Sequence, residues 1–266
     1  MLLITTALMI EARPLVSALG LKADGEGPFP VYASGKRILL VTGTGTLRAS
    51  AATGWALGRY PEIRAALNIG FCGASPGCAP LHEWRYVHSL EDEVTGRMSI
   101  PDILLKHPFK EAALLTVARV VREDLGQATL VDMEGSGFYE AARQVLAPDR
   151  IALLKWVSDA LTGRVDPAET ARAYAASLEP VVAFTGSWPG AGKSSGDLCG
   201  DALAEEILSR LRLTRTQESQ LRKWVSGYSA RGGERGRLLG VLPAETPESR
   251  PGNTRAFNRI KDVLES

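Results

Sequence analysis

Leu130-Val131-Asp132-Met133-Glu134-Gly135-Ser136-Gly137 is the stretch on which the reading of this chain turns. A short apolar run ends in two carboxylates, and the glycines open a helix at once. The helix is predicted over 136–146, because Phe138, Ala141, Ala142 and Val145 fall on one face and Pro148 breaks the pattern. A second apolar run, Ile151 to Val157, ends in Ser158-Asp159. Two strands that each deliver a carboxylate at the carboxyl end describe an α/β active site, since open sheets bind ligands at that edge.

Working back toward the start, residues 1–6 read as an apolar strand rather than a signal peptide, for they lack a basic leader and a cleavage-like site. Leu8, Ala12, Leu15 and Leu19 then share one helical face, with Pro14 near the helix start. Glu11 sits at this strand-to-helix junction, where it is either a site residue or an ordinary first-turn acid. Val31-Tyr-Ala and Lys36 to Thr42 read as a hairpin. Gly43-Thr44-Gly45-Thr46 follows, and then a small-residue helix over 47–57. Those glycines let backbone N–H groups approach an anion or a sugar, but Arg48 stands where a dinucleotide fingerprint has its third glycine. Ala66 to Gly70, Trp84 to Leu90 and the region of Thr116-Val117 complete the strands. Residues 100–109 are a loop with at most one helical turn.

Beyond Asp159, Asp166-Pro167 is an N-cap followed by proline at the first helical position, for a helix running to Leu178. Pro180 ends or kinks it, and Val181 to Phe184 is strand-like at best. Residues 185–196 are rich in Gly, Ser and Pro and read as a flexible link. Helices are predicted over 197–211, 216–228 and 253–264, the last with Asn253 as N-cap. Leu203, Ile207, Leu208 and Leu211 share a face suited to self-association or to packing on the sheet. Ser187-Trp-Pro-Gly-Ala-Gly192-Lys193-Ser194 approximates a phosphate loop. It lacks the first glycine, and no acidic strand end follows, so triphosphate binding is set aside and Lys193 is read as a linker residue.

The composition narrows the function. A net charge of +1 gives no global attraction to nucleic acid or to a membrane surface, and no partner of either kind is expected. No apolar run reaches 18 residues. Three cysteines and three histidines, without CxxC or HExxH, offer no metal set. Cys72 and Cys78 are close enough in sequence to pair, but free thiols in a reducing cytoplasm are the plainer reading.

Five segments in order resemble the nucleoside phosphorylase and nucleosidase superfamily, in the branch of 5′-methylthioadenosine/S-adenosylhomocysteine nucleosidase and futalosine hydrolase. Ala7 to Leu15 is similar to the junction that holds a water-orienting glutamate, here Glu11. Gly43-Thr44-Gly45 resembles the loop beside the ribose or phosphate. Asn68-Ile-Gly70-Phe71-Cys-Gly73 resembles the N-x-G-x-A-G segment. Asp132-Met133-Glu134-Gly135 resembles the (D/E)-M-E-(G/A) motif, in which the Met packs on the ribose and the Glu accepts its hydroxyls. Ser158-Asp159 resembles the S-D whose Asp acts at N7 of a leaving purine.

The resemblance implies a three-layer αβα sandwich with a central mixed, mostly parallel sheet over 1–184. A linker and helical extension over 185–266 would pack on it or on a partner subunit. It implies cleavage of the N-ribosidic bond of a purine-type nucleoside by hydrolysis. Asp159, Glu11 and Glu134 would be catalytic; Met133, Ser158, Gly43, Thr44, Gly45, Asn68, Gly70, Phe71 and Arg48 would line the substrate. A phosphorylase that takes phosphate as co-substrate through Arg48, Thr44 and Thr46 is the alternative, and a non-catalytic nucleoside-binding or interaction protein the third reading. No metal or cofactor is called for. A cytoplasmic homo-oligomer, a dimer first, follows from the same source. The chemistry agrees: oxocarbenium character grows on the ribose, and held hydroxyls, an acid at the base and a carboxylate-oriented water all act as that charge develops. The chain departs from the nucleosidases in carrying Lys155 where they have Arg. Its shortened segment 126–129 also leaves Phe109, Phe71 and Trp156 as candidates for stacking on the base.

Overall fold

Strand β1 (Leu2–Thr6) is buried along its whole length. It lies between β4 (Arg37–Val41) and β5 (Ala65–Ala74) and runs parallel to both. β10 (Ile151–Asp159) is parallel to β5 on its other side. Strands covered on both faces read as continuous apolar runs, which is why Leu2-Leu-Ile and Ile151-Ala-Leu-Leu were legible. β3 (Val31–Ser34) and β4 form the predicted hairpin, with β2 (Lys22–Ala23) outside it. A second parallel set consists of β6 (Trp84–Asp92), β8 (Lys110–Thr116) and β9 (Leu130–Asp132). The sets join antiparallel, β10 to β6 and β5 to β9, while β7 (Arg97–Ser99) borders β6. β5, β10, β6, β8 and β9 thus close a ring at one end of the mixed ten-stranded sheet. This computed structural model describes residues 1–266 except 26, 123–124, 126–128, 162–165, 189–194, 244–245, 248 and 266, and not the side chains of 195–201, 215, 230, 250 and 265.

Helices cover both faces, giving the three layers. α1 (Met9–Ala18), α4 (Pro167–Ala176) and α5 (Glu179–Ser187) bury Leu15, Tyr174, Val181 and Phe184 against Ile4, Leu67 and Leu154. On the other face, α2 (Thr46–Arg59) and α3 (Gly135–Ala142) bury Ala52, Ala56, Phe138 and Ala142 against Leu3, Leu40 and Leu153. Asp166 caps α4 as expected, accepting from the N–H groups of Ala168 and Glu169.

Several boundaries differ from the sequence reading. β5 runs through Gly70 and Gly73 to Ala74, because both glycines stay extended in the ladder. α3 stops at Ala142, where the last N–H groups switch to tighter bonds, such as Val145 to Ala142. Val181 to Phe184 is helical: Pro180 falls in the first turn of α5, where its missing N–H would have had no partner anyway. No helical turn forms within 100–109. Cys72 and Cys78 are free thiols. The phosphate-loop-like segment at 189–194, with Lys193, lies outside the described residues.

The chain divides into compact units Met1–Ala191 and Gly192–Ser266. The second comprises α6 (Ser195–Ser209), α7 (Arg215–Ala230), α8 (Arg235–Leu239) and α9 (Arg250–Glu265). Leu203, Ile207 and Leu211, the face read as an association or docking surface, are instead spent on a core of its own. Leu221, Val225, Leu238, Phe257 and Ile260 complete that core, and Leu208 packs against it. α7 opens on a reciprocal cap: Thr214 Oγ1 accepts from the Gln217 N–H, and Gln217 Oε1 accepts from the Thr214 N–H. Asn253 is not the N-cap of the last helix, which begins earlier, at Arg250. Buried in that helix, its side chain accepts from the Arg212 N–H (2.7 Å) and donates to the carbonyls of Pro247 and Ser249. Among the described residues, no helix is long and apolar enough to cross a membrane.

Candidate active site

The carboxyl end of β5, Gly70-Phe71-Cys72-Gly73, is the line along which the predicted residues meet. Lys155 of β10 lies opposite Gly70, and Asp159 opposite Gly73. On the other side, Val131 of β9 pairs with Gly73. β5 and β10 run parallel and end together, which leaves their last side chains at a common edge, and the start of α1 is tied to that edge at Phe71.

Glu11 enters from the first turn of α1. Its Oε2 accepts from the N–H groups of Ala7 (2.9 Å) and Leu8 (2.8 Å), and its Oε1 accepts from the Phe71 N–H (2.8 Å). The contact with Leu8 is the helix-capping role of a first-turn acid. The bond to Phe71 is not, because it ties α1 to the end of β5, 60 residues away. Burial pushes the carboxyl above its ordinary value, against the Phe71 and Leu8 N–H groups and the charge of Lys155. A Cβ on residue 70 would lie 3.1 Å from Glu11 Oε1, so glycine there leaves the carboxylate its place.

Asp132 and Glu134 take opposite roles. Asp132 is a structural anchor: Oδ1 accepts from the Thr116 hydroxyl (2.7 Å), and Oδ2 accepts from the Gly135 N–H (2.8 Å). Lys155 Nζ lies 2.7 Å from the same Oδ2, with both side chains out of solvent. Burial pulls the Lys155 ammonium down, but Asp132 and Glu134 more than offset it and the net shift is upward. Glu134, at the N-terminus of α3, accepts from the Gly45 N–H through Oε1 (2.8 Å). Burial, then the negative charge of Asp132, push its carboxyl up to about 7, with Lys155 and the Gly45 N–H opposing.

The Gly43–Thr46 loop is clamped onto this segment. Gly45 adopts φ 99°, in the region that favours glycine, and so turns its N–H to Glu134. The Thr46 hydroxyl donates to the Met133 carbonyl (3.2 Å), and the Gly43 N–H donates to Ala7. Thr44 is exposed at the loop tip, and the exposed Arg48 lays its side chain against Gly43. α3 approaches so closely that a Cβ on Gly137 would come within 2.1 Å of the Thr46 carbonyl oxygen.

At the end of β10 a bulge between Val157 and Asp159 re-aims the last residues. Asp159 Oδ1 accepts from the Leu161 N–H (2.9 Å), and the Ser158 hydroxyl lies 2.8 Å from Oδ2 and 3.1 Å from the Cys72 carbonyl. Leu161 holds a positive φ of 62° and folds its side chain over Gly73. It gathers with Val117, Val131 and Met133 in an aliphatic cluster. Phe71, Trp156 and Phe109, the stacking candidates, all pack on the face covered by α1, α4 and α5. Asn68 lies mid-strand, its amide donating to the Thr5 hydroxyl (3.1 Å). Asp132, Lys155 and Thr116 went unassigned from sequence, although a lysine inside an otherwise buried strand signals a buried partner.

The sequence matches no family model and no curated protein. Solved structures are similar to it. The 5′-methylthioadenosine/S-adenosylhomocysteine nucleosidase of Neisseria meningitidis, in complex with methylthio-immucillin-A, aligns with a TM-score of 0.60 at 16% identity, over 70% of this chain and 98% of that one. The 5′-methylthioadenosine nucleosidase of Arabidopsis thaliana gives 0.59 at 20% identity, over 74% and 98%. An MTAN variant from Chlamydia trachomatis, bound to MTA, gives 0.53 at 22%, over 69% and 97%. Each neighbour is matched nearly end to end, by a share of this chain close to that of its first unit, 191 of 266 residues. The chain therefore has the fold of the 5′-methylthioadenosine/S-adenosylhomocysteine nucleosidases.

Proposed function

We propose that the first unit hydrolyses the N-ribosidic bond of a purine-type nucleoside. What supports this reading is that Glu11 accepts from the Phe71 N–H, that Asp159 lies opposite Gly73, and that Glu134 feels the charges of Glu11 and Lys155, in a chain with a nucleosidase fold. The C1′–N bond breaks with its electron pair passing to the base, where Asp159 supplies or shares a proton. Water adds to C1′ and gives up its proton to Glu11, while the Glu134 carboxylate accepts the ribose hydroxyls. Positioned acids and bases of this kind contribute about 10²–10⁴-fold each.

The occupied donors of the Gly43–Thr46 loop favour water over phosphate. Gly43 and Gly45 give their N–H groups, and Thr46 its hydroxyl, to the protein itself. Arg48, exposed beside Gly43, is what supports the phosphorylase alternative. A homo-oligomer remains part of the proposal, and Leu47, Val94, Met98 and Ile100 are exposed apolar residues available to it. The second unit is read as an appended helical module.

The test is base release from 5′-methylthioadenosine, S-adenosylhomocysteine, inosine and futalosine, with and without phosphate, beside Asp159→Asn. Release without phosphate, lowered at least about 10²-fold in the variant, is the expected result. Strict phosphate dependence replaces the hydrolase with a phosphorylase. Silence across the panel from folded protein leaves a binding role.

A further inference from the structure

Two of the fully buried polar groups that have no hydrogen-bond partner among the described residues stand next to the anchor of Glu11. They are the hydroxyl of Tyr174 on α4 and the indole N–H of Trp156 on β10. The two rings are 5.4 Å apart and nearly edge-on, and each packs on Phe71, at 4.9 Å for Tyr174 and 5.5 Å for Trp156. Phe71 is the residue whose N–H holds Glu11 Oε1. α4, which carries Tyr174, packs on α1, which carries Glu11. The charge of Glu11 is felt at the Tyr174 hydroxyl, which burial and that charge together keep protonated.

Buried donors are almost always bonded, and one without an acceptor is destabilising. Phenylalanine at 174 would keep the ring contacts with Phe71, Trp156 and Trp84 and shed the lone hydroxyl. Packing alone therefore favours Phe. Glu11 offers the complementary capacity, since Oε1 takes a single N–H and a carboxylate oxygen accepts two. A water molecule is the group that accepts from an O–H and an N–H while donating to a carboxylate. We infer that the Tyr174 hydroxyl, with the Trp156 indole N–H, holds the water that Glu11 orients, which makes Tyr174 a positioning residue for the attack on the ribose. This rests on the hydrolytic reading above.

The test is Tyr174→Phe in the full chain, compared with wild type in Tm, kcat, KM, the pH profile of base release and a high-resolution crystal structure. Tm is expected to change by no more than about 2–4 °C, because the ring contacts are kept and the hydroxyl bonds a water rather than a protein group. kcat is expected to fall at least about 10-fold with little change in KM, because the water loses its alignment. The acid limb of the profile moves to higher pH, since Glu11 loses a donor network that favours its charged form. The wild-type crystal shows a water bonded to Tyr174 Oη and a Glu11 oxygen, absent from the variant. A variant with wild-type kcat and an unmoved acid limb overturns the inference, as does a crystal in which no water reaches Tyr174 Oη. A wild type silent on every nucleoside overturns the hydrolytic reading instead, and the crystal decides the placement of the water on its own.

Discussion

Lys155→Met removes the ammonium 2.7 Å from Asp132 Oδ2 and leaves a carboxylate that is itself out of solvent. Breaking a buried pair from one side destabilises by about 3–5 kcal/mol, because the remaining charge is uncompensated. Asp132 keeps the Thr116 hydroxyl and the Gly135 N–H, which places the expected loss at the lower end, about 3 kcal/mol. For a unit of this size that is a fall of about 6–12 °C in Tm. Glu134 also loses a favourable neighbour, so its carboxyl rises beyond about 7. The acid limb of base release should move to higher pH with it. The assay is thermal unfolding at pH 7.5, with the pH–rate profile alongside, on Lys155→Met and on Lys155→Met combined with Asp132→Asn. The double variant carries no stranded charge and should recover most of the lost stability. If Lys155→Met melts within about 2 °C of wild type, the pair is not the buried support described. If the double variant is no better than the single one, the stranded charge is not the cause.

Glu134 makes stability and rate diverge with pH. A carboxyl raised from 4.5 to about 7 contributes stability that is present below pH 4.5 and lost as pH rises through about 7. The chain should lose about 3 kcal/mol over that window, and Glu134→Gln should flatten the slope. Base release should rise through the same window, because only the carboxylate accepts both ribose hydroxyls; parallel curves would refute the assignment. Gly137→Ala forces a Cβ toward the Thr46 carbonyl, so α2 and α3 must part, with a loss of about 1–3 kcal/mol and a raised KM as the Gly45–Glu134 bond stretches. An unchanged melting curve there would show that the helix approach is looser than described. Residues 192–266 alone should give a helical circular dichroism spectrum with cooperative melting, abolished by Ile207→Asp in its core, and a featureless spectrum would sink its independence.

What the sequence revealed and what it hid have physical reasons. Apolar runs that end in Asp132-Met-Glu134 and Ser158-Asp159 are local patterns, and their strands stand where the periodicity put them. The Asp166-Pro167 cap is likewise local chemistry. Pro180 misled because a proline ends a helix in one position and begins one in another, and only the neighbouring turn decides. Asn253 misled because its side chain satisfies a loop rather than a helix end. The Asp132–Lys155 pair and the ring cluster around Phe71 depend on which strands and helices lie side by side. No spacing along one strand contains that register.

The ring of strands has a consequence for how the protein comes into being. β10 pairs with β5 and β6, both made long before it, and it carries Asp159 and the Lys155 partner of Asp132. Until Ile151 to Asp159 has emerged from the ribosome, the largely apolar edge of β5 from Ala66 to Cys72 has unanswered N–H and C=O groups. Closure over such sequence separation is slow, so the nascent chain spends its riskiest interval with a ready template for strand addition. Chains truncated before residue 151 are therefore expected to aggregate, which sedimentation of such truncations would check, because of the same topology that gathers the site.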